Sequence, residues 1–150
     1  MLLQTLQTLF TRDLNKLKGE ILSYKDEHKI WHIDKFIANS AGNLCLHLVG
    51  NLNAYIGAEL GGTNYIRQRD LEFTLKDIPR AELIRKIDNT VSVVQEVLGS
   101  LSENVLEQEY PALVFDKPTS TGFFLVHLST HLAYHVGQVN YHRRLLDAGH

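Results

Sequence analysis

His131 and His135 stand four residues apart in a long apolar segment of this 150-residue chain, and His47 stands in an earlier one. In a helix, residues i and i+4 share one face, about 6 Å apart along the axis. Two imidazoles so placed can converge on one metal ion, and a facing helix is the natural source of a third ligand. Neutral imidazole is a preferred ligand of Zn, Ni, Fe and Cu. The residue types and spacing therefore point to a three-histidine metal site inside a helical bundle. His127, His131 and His135 follow one another at i, i+4 and i+8. The outer two lie about 12 Å apart along the axis and are turned by about 80°, so one ion takes 127/131 or 131/135, and spacing does not choose. The competing reading makes each histidine a hydrogen-bonded core residue. Against it, burying two rings on one face demands a polar partner for each. The pair lacks the intervening glutamate of H-E-x-x-H, which removes the obvious general base. No Glu-x-x-His motif accompanies it, which argues against a carboxylate-bridged pair of metals.

Four helical segments must position these rings. Leu3, Leu6, Phe10, Leu14, Leu17, Ile21 and Leu22 recur mostly at spacings of three and four and predict a helix over about 2–24. A mixed connector at 25–36 carries Trp31 and His32. Asn39 and Ser40 cap a second helix over about 40–60, whose face is Leu44, His47, Leu48, Asn51, Leu52, Tyr55 and Ile56, and Gly61–Gly62 end it. Residues 63–77 are polar, lack helical periodicity and read as a crossover loop. Asp77 and Pro79 open a third helix with the stripe Leu83, Ile84, Ile87, Val91, Val94, Leu98 and Leu101. A second long connection, 103–119, precedes a fourth helix from about Ser120 to Leu146. Connections of this length imply a four-helix bundle with at least one crossover, an all-α fold in a single domain over 1–150.

Composition narrows the classes. The net charge of −2 gives no basic footprint for nucleic acid. The single Cys45 excludes an intramolecular disulfide and suits a reducing compartment. No stretch approaches the roughly 20 apolar residues a membrane helix needs, and the first residues do not form a secretory signal. The expectation is a cytoplasmic protein with no membrane or nucleic-acid partner.

The string His131-Leu-Ala-Tyr-His135-Val-Gly-Gln138, preceded by His127, resembles the last-helix motif of the DinB-like superfamily of small metal-binding four-helix proteins. The string Asn43-Leu-Cys-Leu-His47-Leu-Val-Gly-Asn51-Leu-Asn53 resembles that superfamily's segment bearing the first ligand, and Arg69-Asp70-Leu71-Glu72-Phe73 its following loop. The resemblance covers nearly the whole chain. It implies a DinB-like bundle with long crossover connections, His47, His131 and His135 as ligands of one divalent metal (Zn, Ni or Fe), and a homodimer. Tyr134 stands where the superfamily often has histidine, and Val136 where it often has arginine.

Three protein ligands leave a coordination position open, as catalytic zinc sites do. The resemblance implies an enzyme that activates a small cellular thiol, as cosubstrate, or water for transfer, isomerisation or hydrolysis of a small molecule. The alternative is a non-catalytic metal-binding stress-response or dimerisation module. Asn51 and Gln138 sit about one turn beyond His47 and His135, and either line a pocket, partner the ligands or tie helices together. Tyr55 and Tyr134 place hydroxyls near such a pocket or pack in the core. Asp70 and Glu72 are candidate bases only if their loop folds over the metal, and a solvated loop is the simpler expectation. Cys45 reads as a buried small hydrophobe, and His142 as a surface or packing residue.

Overall fold

Helix α1 (Leu2–Ser23) buries Leu3, Leu6, Phe10, Leu14, Leu17 and Ile21 at the expected helical spacing, while Leu22 points outward. The computed structural model describes residues 1–148; those residues are all-helical and include no strand. A short 3-10 turn, Glu27–Trp31, occupies the connector and buries Ile30 and Trp31. Helix α2 (Ala41–Leu52) is capped by Ser40, whose side chain accepts from the Asn43 backbone N–H. Every residue of α2 is buried. Such a helix needs apolar residues all round, and any polar residue on it needs a partner in the protein. The helix runs on through a π-helical stretch, Asn53–Ala58, into α3 (Glu59–Gly61) and stops at Gly62, whose φ of 65° is left-handed.

The crossover is not a bare loop. It contains α4 (Arg69–Thr74), a helix too short to announce itself by periodicity. Asp77 is not the cap of the third long helix: it takes a φ of 59°, and Pro79 is the N-cap of α5 (Arg80–Ser100). Helix α5 buries Leu83, Ile87, Val94 and Leu98, with Ile84 and Val91 on its flanks. A 3-10 turn (Glu103–Glu107) comes next, and then α6 (Thr121–Leu146), capped by Ser120 through the Phe123 backbone N–H at 3.1 Å. The buried stripe of α6 is Phe124, Leu125, Leu128, Leu132, Val136 and Val139.

Helix α1 packs against α5 and α6, and so does α2. The first two long helices thus occupy opposite corners, as do α5 and α6, while residues 62–79 join the neighbours α2 and α5. All four share one apolar core. No helix among the described residues is long and apolar enough to cross a membrane.

Asn43 ties α4 down. Its Nδ2 donates to the carbonyls of Glu72 and Leu75, at 2.9 Å each, while its Oδ1 accepts from Ser40 Oγ at 2.7 Å and Lys76 Nζ at 3.0 Å. Removing the amide strands two carbonyls at the base of the crossover. Asn43→Ala is therefore expected to cost about 2 kcal/mol in urea denaturation and to speed amide exchange across 63–77 more than in α1 or α5.

Candidate metal centre

His47 comes from the buried helix α2, and His131 and His135 from the edge of α6's apolar stripe, where each is half-buried. One nitrogen from each ring can be chosen so that all three lie within 4.8 Å of one another. His47 Nε2 and His131 Nε2 are 3.2 Å apart. Ring centroids are 5.1 Å apart for His47 and His131, 5.3 Å for His47 and His135, and 4.5 Å for His131 and His135. His127 stacks on His131 at 6.3 Å but packs mainly against Phe115 at 4.9 Å. Of the two registers that spacing allows, the trio that converges contains His135.

Glu72 and Arg67 set the His47 ring. His47 Nδ1 lies 3.1 Å from Glu72 Oε1, and Arg67 grips the same carboxylate with Nε at 2.9 Å and Nη2 at 3.0 Å. An ionised carboxylate only accepts, so His47 carries its proton on Nδ1 and keeps the Nε2 lone pair for the cluster. Burial pushes the Glu72 carboxyl up, but the hydrogen bonds from His47 and Arg67 outweigh it and hold the group below its ordinary value. Gly50 makes room for this carboxylate: a Cβ there would stand 1.9 Å from Glu72 Oε2.

Gln138 does the same work for His135, with its Oε1 2.7 Å from Nδ1 and its Nε2 donating to the Tyr134 hydroxyl at 3.3 Å. Tyr134 is otherwise exposed, so it braces Gln138 rather than lining a cavity. His131 Nδ1 is buried with no partner among the described residues. Burial, then the nearby His135, His47, His127 and Arg67, push the His131 imidazole down to about 4. His135 is also lowered, by burial first and by His47, against the opposing bond to Gln138. Beside the cluster opens a cleft of about 200 Å³, lined by Asn51, Tyr55, Arg67, Arg69, Phe124 and His127 among others.

Residues 2–150 match a family model described as "protein of unknown function (DUF1572)". The chain belongs to this family. No curated protein gave a significant match.

The rings of this DUF1572 chain fit a metal ion. Two nitrogens bound to one tetrahedral ion at about 2.05 Å stand about 3.3 Å apart, and His47 and His131 already hold that separation. Two of the three rings have their remote nitrogen tied to an oxygen, the usual support of a ligating histidine. Three nitrogen donors suit a borderline ion such as Zn, Ni or Fe.

Glu72 lies in the segment expected to be solvated, yet it is 5% exposed. It faces the outer nitrogen of His47, so it orients a ring instead of serving as a base at the metal. Asp70, two residues earlier, is exposed. Arg67 escaped sequence reading altogether, because nothing local marks an arginine whose partner is another loop residue. Cys45 is buried, its thiol pushed up to about 12 by burial. His142 is a packing residue: Nδ1 meets the Tyr24 hydroxyl at 2.6 Å and Nε2 donates to the His32 carbonyl at 2.8 Å.

The lowered histidines predict acid sensitivity. In the unfolded chain His131 takes up a proton near its ordinary value of 6.5; in the folded protein it resists until about 4. The unfolded state binds more protons in that window, so stability falls as pH drops through it. Glu72, lowered from 4.5, adds a loss at the acid end. The urea midpoint of metal-free protein should decline between pH 6.5 and 4, and His131→Gln should flatten that decline.

Proposed function

We propose that this DUF1572 protein is a DinB-like four-helix-bundle enzyme in which His47, His131 and His135 hold one divalent transition metal. The observation that carries the reading is the convergence of three imidazoles, two of them fixed from behind by Glu72 and Gln138. A bound Zn, Ni or Fe ion would supply Lewis acidity toward a small thiol or a water molecule. The chain supplies the rest. Glu72 holds the Nδ1 proton of His47, and Arg67 keeps Glu72 ionised. Tyr55 and Phe124, with rings 5.2 Å apart, give the cleft part of its lining. Thiol-dependent transfer or isomerisation and hydrolysis are the reaction classes in view, on a small-molecule substrate and in a homodimer.

A second reading has its own support. The donors come from α2 and α6, so an ion would also tie two long helices together without any reaction. The cleft beside the rings favours the enzyme, because a purely structural zinc site is closed by four protein ligands.

Elemental analysis of purified protein is expected to give about one metal per chain, lost in His47→Ala and in His131→Ala. Protein that stays metal-free when offered zinc, nickel and iron would return the histidines to core packing. Glu72→Gln keeps the shape but not the charge, and should weaken metal affinity about tenfold or more in a chelator competition. Chelation of wild type that collapses thermal stability while no thiol or water-dependent turnover is found would favour the helix-tying role.

A further inference from the structure

The charged side chains in the lining of the cleft beside the histidines are basic: Arg67 and Arg69 line it, and among the described residues no aspartate or glutamate does, the Glu72 carboxylate lying behind Arg67. Arg67 spends Nε and Nη2 on Glu72, which leaves its Nη1 edge without a protein bond among the described residues. Arg69 is exposed and rests over the Phe73 ring at 5.7 Å. The same lining holds Asn51, which is 6% exposed and whose Oδ1 is buried without a partner among the described residues. A buried amide with an unmet oxygen is costly unless something outside the protein meets it. The opposite wall, Val114 and Phe124, is apolar.

We infer that Asn51, Arg67 and Arg69 form the recognition end of a ligand cleft that opens on the histidine cluster, and that its ligand is a small carboxylate. The inference deepens the metal-enzyme reading and rests on it for the view that this ligand is a substrate. Volume sets the size: about 200 Å³ holds roughly seven waters at about 30 Å³ each, so a molecule of a few carbons fits. Arg69, which has no carboxylate beside it in the lining, sets the charge, and Arg67, paired with Glu72 behind the wall, adds donors. Carboxylate is favoured over phosphate because Arg67 has one edge left, matched to a planar two-oxygen group rather than to a tetrahedral anion that needs more donors. The Asn51 amide, not fixed by the protein, can turn its oxygen to a hydroxyl or N–H beside the carboxylate. A hydroxy or amino acid of short chain has this combination.

The probe is lactate, titrated into the full-length chain in metal-free and in zinc-loaded form, with the Arg Nε and Asn side-chain signals read by NMR. Lactamide serves as the neutral twin and inorganic phosphate as the other anion. Lactate should shift these signals saturably in the metal-free protein, and lactamide should not. Arg69→Gln, a surface change, and Asn51→Ser should each weaken lactate at least fivefold. Absence of saturation in both forms, equal binding of lactamide, phosphate as tight as lactate, or variants that bind like wild type would each overturn the inference. Zinc content is measured on the same samples. Zinc uptake without lactate binding defeats the carboxylate cleft alone. Lactate binding by a protein that takes up no metal upholds the cleft and defeats the metal reading.

Discussion

The His47 ring is the constraint around which the structure is arranged. It belongs to a helix buried on every side, where an imidazole without partners would cost several kcal/mol. Its partner is Glu72, and a buried carboxylate is worse than a buried imidazole unless it too is satisfied. Arg67 satisfies it bidentately. The chain 67–75 must then lie against α2, held there by Asn43. Space for the carboxylate comes from the missing side chain at Gly50. Each requirement creates the next: a polar ring in a buried helix requires an acid, a base, a strap and a gap.

The same chain of dependence gives the site its chemical bias. Glu72 is held ionised and accepts the Nδ1–H of His47 on the outer side, which turns Nε2 toward the other two rings. His131, desolvated and crowded by its neighbours, resists protonation too. An imidazole that burial keeps from taking a proton is ready to bind a metal cation instead, and such a cation would relieve the lone-pair crowding that the rings' proximity creates.

Helix positions were legible from sequence because long amphipathic segments repeat their pattern many times. The stripe from Leu3 to Ile21, the Ser40 and Ser120 caps and the Gly62 stop all obey local rules that tertiary contacts did not override. The histidines were legible in part for a related reason: spacing put pairs on one helix face of α6 and His47 on an apolar one, but it left 127/131 and 131/135 open, and only the family resemblance pointed to the latter. Residues 63–77 were not. A helix of six residues has too few turns to show a period, and the value of Glu72 and Arg67 lies in pairings that no spacing encodes. Polarity suggested solvent where the polar groups were in fact serving one another. Tyr134 failed oppositely: beside His135 in sequence, it is largely exposed, and it touches the site through its ring edge against His135 and its hydroxyl against Gln138.

His47 and His131 are 84 positions apart. A growing chain therefore offers no complete trio until α6 has been made and has closed back onto α2. The contact is long-range, and the loop-closure entropy for it must be met by the core before the rings meet. The trio is in that sense a checkpoint: a copy that ends before α6 lacks it, however well its first three long helices pack.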